Sequence, residues 1–413
     1  MSVLNTAVTG MLANSNWLST IAQNVANANT TGFKESETQF AALVDAAGTQ
    51  TQGAGVATYT HALNSMQGQV ESTSTTTDLA VQGNGFFVVS DGSGNIFLTR
   101  NGSFVPDQAG NLVNAAGYYL MGANTLGNTS NITVNSLSGL TRVNVQGAAA
   151  VAQPSTAATL IANLPSTAAT IAAANLPSAN AATSSYTAET TMTAYDNLGG
   201  AHTLNVYLAK SGANAWQMTI YDSSAAAATG GFPYSSGPLV TSNLTFSGNT
   251  GAITGGSPLA VPVPGGQTMT LDLGQTTQLT SAFNVAALTI NGNSPGSLNG
   301  VAVSQTGVLS YEYSNGSSAN AYVIPLAKVP SADNLTAVVG DAYQTNYASG
   351  QAEVGNATNG GLGTINSSSL ELSTVDLATE LTSMVQAQSS YQANSKVFQT
   401  GAKILDVLNS IQT

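Results

Sequence analysis

The sequence predicts an α+β protein, mostly β, in which nested β-domains are closed off by helices from both chain ends. Three observations carry this. Both ends repeat their apolar residues at helical spacing, the stretches between alternate with period two, and the strand pattern is interrupted by an apparent insertion. The length agrees, because 413 residues at roughly 150 per domain make about three domains.

At the first end, Leu4, Val8, Met11, Leu18, Ile21 and Val25 recur at three- and four-residue steps or their sums, with Ser15 in the gap. That is a helical stripe, and Leu4 to Val25 would span roughly 33 Å at ~1.5 Å per residue. Asn27, Asn29 and Gly32 suit its end, since Asn and Gly tolerate left-handed backbone. Phe86 to Ser90 and Ile96 to Thr99 flank Asp91–Asn95 as a hairpin. The repeated Asn-Leu-Pro-Ser at Asn163 and Asn175 is too short for a solenoid and reads as the border of an inserted domain. Thr190 to Tyr221 reads as an antiparallel meander, with Leu204, Val206 and Leu208 alternating and then Trp216, Met218 and Ile220. Leu309, Tyr311 and Tyr313 alternate before the Asn315–Gly316 turn, and Tyr322, Ile324 and Leu326 after it, which is a second hairpin.

At the far end, Leu377, Leu381, Met384, Gln388, Tyr391, Ser395, Phe398, Ala402 and Leu405 alternate by four and three. This is a heptad seam with polar breaks, widened by Val397, Ile404, Leu408 and Ile411. No proline follows Ser331, so a helix can run from about Asp376 to Ile411. The expected layout is a coiled-coil-like helical domain with a linking segment (1–70 and 360–413), an inner β-domain (71–144 and 284–359) and an inserted outer β-domain (145–283). The flanks of the first stripe carry Asn5, Asn14, Asn16, Gln23 and Asn24 rather than Lys/Glu pairs, which suits packing against further copies of the chain. The other reading is a two-helix packing against a β-domain within one chain.

Composition excludes several classes. Charged residues are only 6% of the chain, against a usual ~25%. Seven Lys+Arg against 19 Asp+Glu give a net charge of −12, too few cations for a nucleic-acid footprint or an anionic membrane surface. No Cys is present, so disulfides, thiolate metal sites and Cys nucleophiles are out. His61 and His202 lie far apart, which argues against a multi-His metal site. The first 28 residues have neither the positive charge nor the unbroken apolar run of a secretory signal, and no window is apolar enough for a membrane span.

Motif by motif, chemistry fails. Gly292-Asn-Ser-Pro-Gly296 has the G-x-S-x-G spacing, but Pro295 lacks the N–H of an oxyanion hole, so it reads as a turn. Gly83-Asn-Gly85 lacks the third Gly of a dinucleotide loop. Asp91 to Gly102 lacks the Gly and Glu of a calcium loop. His202 has no placed nucleophile beside it and reads as an ordinary surface or edge residue, and Trp17 reads as packing. No catalytic constellation, cofactor site or metal site is expected.

The run Ile21-Ala-Gln-Asn-Val-Ala-Asn-Ala-Asn-Thr-Thr-Gly-Phe-Lys34 closely resembles the N-terminal signature of bacterial flagellar axial proteins, the rod and hook family. Asn24, Asn27, Asn29, Thr30, Gly32, Phe33 and Lys34 match it. Val375 to Asn394 resembles that family's C-terminal signature through Glu380, Gln388, Tyr391, Gln392 and Asn394, with Ser389 and Ser390 departing from it. Gly85-Phe-Phe87, Arg100-Asn-Gly102 and the Tyr195 to Tyr207 meander resemble the hook-type members, whereas rod-type members are shorter and lack the insertion.

The resemblance implies a structural subunit, not an enzyme, that polymerises helically into a flexible tube joining flagellar motor to filament, a universal joint that passes torque. A distal rod or filament-type subunit is the alternative, and a secreted β-rich adhesin a weaker one. It implies as partners further copies of the chain, the rod, hook cap and hook–filament junction proteins and the flagellar type III export apparatus, with no nucleic acid, no membrane insertion and no cofactor. Location in the extracellular hook, reached without a cleaved signal, follows from the same likeness. The residues expected to make subunit contacts are Leu4, Val8, Met11, Leu18, Ile21, Val25, Asn24, Asn27, Asn29, Gly32, Phe33, Leu381, Met384, Gln388, Tyr391, Asn394, Phe398 and Leu405.

Overall fold

The structure is a computed structural model that describes residues 2–44, 53–125, 137, 139–147, 149–228 and 230–411. The fold class is as expected, α+β and mostly β, with one long helix at each end: α1 (Ser2–Ala26) and α2 (Leu377–Ile411). Asp376 starts α2 by accepting the N–H of Ala378 on its Oδ1 at 2.9 Å, an N-cap that satisfies a first-turn donor. The chain folds as two compact units: residues 1–148, 300–311 and 319–413, and residues 149–299 with 312–318.

The first unit contains both helices and an antiparallel sheet. Phe86–Ser90 pairs with Ile96–Thr99, as the alternation predicted, and also with Tyr119–Asn124 and Pro325–Lys328. Ala342–Gln344 extends this on one side and Glu353–Asn356 on another. Phe86, Val88, Leu98, Met121, Ala327, Tyr343 and Val354 make its core, with Phe87 edge-on to Phe104 at 6.0 Å on the opposite face. Asp91 closes the Phe86–Thr99 hairpin by accepting the Ser93 and Asn95 N–H groups, each at 2.9 Å. That use of the carboxylate is a turn device.

One element of this unit was not foreseen. The linking segment forms an antiparallel hairpin, Ser36–Val44 with Gly53–Ala62.

The second unit is two five-stranded sheets sharing one core. One is the expected meander, Ala188–Tyr195, Ala201–Gly212 and Ala215–Asp222, continued by Val240–Phe246 and Ile253–Gly255. The other centres on Ala157–Pro165, which pairs in parallel with Thr268–Asp272 and Thr277–Leu279 and antiparallel with Asn284–Ile290. Leu204, Val206, Trp216, Met218 and Ile220 meet Leu160, Leu164, Met269 and Leu271 between them. The Trp216 Nε1–H donates to Gln278 Oε1 at 2.8 Å, so the one polar atom of that ring is satisfied in the core. Buried Lys210 turns its ammonium to the carbonyls of Ser166 and Ala168.

Three local expectations change. Gly292–Gly296 is not a turn, because Asn293–Gly296 is a strand paired with Val151–Gln153 where the chain enters and leaves the second unit. This pairing also carries that unit past Phe283, to Asn299. His202 is not an ordinary surface histidine, since its ring lies between the carboxylates of Asp196 and Asp222, at 3.3 and 3.7 Å.

Candidate assembly surface

The two helices pack antiparallel along a seam of small and polar residues. On α1 the buried positions are Ala7, Gly10, Ala13, Asn14, Thr20, Ile21 and Asn24, and on α2 they are Glu380 and Ala387. A Cβ placed on Gly10 would sit 3.0 Å from Asn394 Cγ, and one on Gly401 3.0 Å from Leu4 Cδ2. Glu380, Ala387, Asn394 and Gly401 are each seven apart, so the intrachain seam is a heptad, but of small and polar residues. Because Leu4 meets Gly401, the turns of α2 beyond about Lys403 run past the first described residue of α1.

The 36–62 hairpin covers another flank of α1, again through hydroxyls and amides. Thr38 Oγ1 donates to Thr20 Oγ1 at 2.8 Å and lies 3.3 Å from Thr60 Oγ1. Asn16 Nδ2 donates to Thr58 Oγ1 at 3.0 Å, and Trp17 meets Phe40 edge-on at 5.6 Å. The uncharged flank of α1 is therefore partly consumed inside the chain. Asn14 and Asn24 are buried there, while Asn5 and Gln23 stay exposed.

The signature residues organise the root of the helix pair. Asn24 is 1% exposed; its Nδ2 donates to Ser36 O and Glu380 Oε1, each at 2.9 Å, and its Oδ1 accepts the Ser36 N–H. Asn27 Nδ2 donates back to Gln23 O at 2.9 Å and Asn29 is exposed. Gly32 has φ +74°, and a Cβ there would stand 2.6 Å from the Asn101 nitrogen; both the backbone conformation and the close approach require glycine. Its N–H donates to Glu371 O at 2.8 Å, and half-buried Phe33 accepts from Thr374 N–H. Lys34 then pairs with Glu371 at 2.5 Å, and Arg100 pairs with the other Glu371 oxygen at 3.1 Å. All three side chains are buried. Burial pulls the Lys34 ammonium below its ordinary pKa, opposed by the attraction of Glu371.

The apolar stripes have a different fate. Ile21 is buried, and Leu4, Val8, Met11, Leu18, Val25 and Met384 are half-buried. Leu381 is 52% exposed; Tyr391, Phe398 and Leu405 are exposed, as is Gln388 between them. Leu377, Val397 and Ile404 join this open surface, together with Val385 and Val407, which the heptad had passed over. The side chains of Leu408 and Ile411 lie outside the described residues. A 35-residue helix that keeps its Leu, Val, Ile and Phe in water is an unpartnered surface. Among the described residues no group of three or more acidic or His side chains could hold a metal, and no helix is long and apolar enough to cross a membrane.

Comparison with known proteins agrees segment by segment. Family profiles match residues 4–34 (Flagella basal body rod protein), 80–151 (Flagellar hook protein FlgE/F/G D1 domain), 163–293 (Flagellar basal body protein FlaE D2 domain) and 366–411 (Flagellar basal body rod FlgEFG protein C-terminal). The chain is 41% identical to the flagellar hook protein FlgE of Brucella abortus, covering 99% of this chain and 98% of that one. It is 39% identical to that of Rhizobium meliloti over 99% and 98% of the two chains. For Escherichia coli K12 the identity is 32%, over 98% and 99%. With both terminal signatures, both β-units and the full length accounted for, the chain belongs to the flagellar hook protein FlgE family.

Proposed function

We propose that this structural subunit of the flagellar hook assembles into a helical tube through the open apolar surface of α2, with Leu377, Leu381, Val385, Tyr391, Phe398 and Leu405 packing on the helices of neighbouring copies. The single observation that carries the reading is that α1 and α2 meet along a mainly small and polar seam and leave most of the larger apolar side chains of α2 outside. A repeated head-to-tail contact of this kind does not close and so builds a filament. The β-units are poor in charge and therefore poor in ion pairs that would pin one copy to the next. Such contacts can exchange as the tube bends while passing torque. The same reading makes the rod, the hook cap and the junction proteins its neighbours at the tube ends, and the type III apparatus its route to the cell exterior.

The test is Leu381→Asp, with Val385→Asp beside it. Both proteins should be secreted and keep the β-sheet circular dichroism of the parent, yet form no hooks and give no motility. Asn249→Asp, at an exposed turn of the second unit, should assemble as the parent does. Hooks of ordinary length from Leu381→Asp would remove the surface from the contact. An unfolded Leu381→Asp monomer would mean that the residue packs within the chain.

A further inference from the structure

The back of the meander in the second unit carries chemistry that packing alone does not use. Along Ala201–Gly212 and Ala215–Asp222, Leu204, Val206, Leu208, Trp216, Met218 and Ile220 face the core between the two sheets. Tyr207 and Tyr221 alternate with them and so point to the other side. There the segment after Asp222 covers them, bringing Phe232 and Tyr234 onto their rings. Tyr207, Tyr221 and Tyr234 are all buried. Tyr234 is fixed at its backbone, its N–H donating to Asn180 Oδ1 at 2.7 Å and its carbonyl accepting from Asn180 Nδ2 at 2.9 Å.

Two of the three hydroxyls meet. The phenol oxygens of Tyr207 and Tyr234 lie 2.8 Å apart, with their ring planes at 71°, and Asn205 Nδ2 donates to the Tyr234 oxygen at 2.7 Å. Touching phenol oxygens place the ring carbons beside them edge to edge. Tyr221 stacks on Tyr234 face to face at 4.2 Å, and its O–H donates elsewhere, to Pro177 O. One ring leads outward from this cluster. Tyr186 is 44% exposed and lies 4.8 Å from Tyr207.

We propose that Tyr207 and Tyr234 form a site of oxidative coupling to dityrosine, reached through Tyr186, with hydrogen peroxide acting through a peroxidase as the oxidant. Each one-electron step takes an electron and the phenolic proton from Tyr186, which recovers both from Tyr207. The first radical passes on to Tyr234 across the shared hydrogen bond, and the second stops at Tyr207. The two radicals join by a bond between the carbons next to their oxygens. Each of those carbons then loses its hydrogen as a proton, and each oxygen regains one. In sum two ring hydrogens leave and one peroxide is reduced to two waters. Partners already in contact make the coupling effectively unimolecular. The bond closes the chain between positions 207 and 234 and so restrains the unfolded state, as a disulfide would, in a chain that has no Cys.

Full-length monomer is treated with a haem peroxidase and limiting hydrogen peroxide, and its digest is searched by mass spectrometry for peptides joined with loss of two hydrogens. The 207–234 link should appear in protein that still runs as a monomer, and should move the Trp216 unfolding transition to higher urea. It should be absent from Tyr207→Phe and Tyr234→Phe, which keep the rings, and form several-fold more slowly in Tyr186→Phe. Tyr347→Phe, at a fully exposed position of the first unit, should leave it unchanged. Dityrosine found only between copies, or at Tyr221 in place of Tyr207, overturns the site. A rate that Tyr186→Phe does not alter overturns the route.

Discussion

At Glu371 three segments far apart in sequence are tied by charge. Its carboxylate takes the Lys34 ammonium and the Gly68 N–H on Oε1 and the Arg100 guanidinium on Oε2, so both oxygens are paired in a dry site. Breaking such a cluster is more damaging than never having built it, because the partners stay buried and unpaired. Glu371→Gln should therefore destabilise the first unit by about 3–5 kcal/mol, read by equilibrium urea denaturation, while the Trp216 transition of the second unit stays where it was. A loss below about 1 kcal/mol, the range of a surface pair, would show the cluster to be solvated. Lys34 and Gly32 were legible in the sequence as part of a matched signature. Their partners were not, since Glu371 and Arg100 lie 337 and 66 positions from Lys34 and nothing local announces a pairing across such distances.

At the scale of elements, periodicity found both helices nearly to the residue, but it did not mark the face by which the two helices meet within the chain. Reading large apolar side chains as the buried side is sound for a helix packed on a core. Here Ala7, Gly10, Ala387 and Gly401 let the backbones close up, and the large side chains are what is left outside. An aspartate at Leu381 is then nearly free of cost in the monomer, where the site is half in water. It costs several kcal/mol once a neighbouring helix covers it, which is why the expected defect lies in assembly and not in folding. The hairpin at 36–62 escaped for the opposite reason. Its inward face meets α1 through Thr38, Thr58 and Phe40, with Thr60 bonded to Thr38, so its alternation is largely of hydroxyls and carries little hydropathy signal.

For the molecule as a whole, the meander and the presence of an insertion were legible, because Trp216, Met218 and Ile220 alternate cleanly. The limits of the insertion were not, because Val151–Gln153 and Asn293–Gly296 are short strands, the second carrying Pro295 and Gly296, held mainly by each other. The core of the second unit draws only on residues between Ala158 and Ile290. An isolated fragment of residues 149–299 should therefore fold alone. Its Trp216 emission should be as blue as in the full chain and lost in one cooperative melt. Emission already red-shifted in buffer would show that the unit needs the rest of the chain.

Three of the seven cations, Lys34, Arg100 and Lys210, are buried. Three acids, Asp78, Glu371 and Glu380, are buried with them, so the outside of each subunit carries the whole net charge of −12, with only four cations among its acids. Crowding such surfaces together draws a cloud of counterions into the growing tube. At ~0.15 M salt, charges more than about 8 Å apart are screened from one another, and at 0.01 M the reach grows to about 30 Å. Polymerisation of purified subunits should then quicken as sodium chloride rises over that interval, measured by light scattering at fixed protein concentration. A rate that is flat or falls with salt would mean that neighbouring copies meet cation to anion after all, through Arg142, Lys328, Lys396 and Lys403.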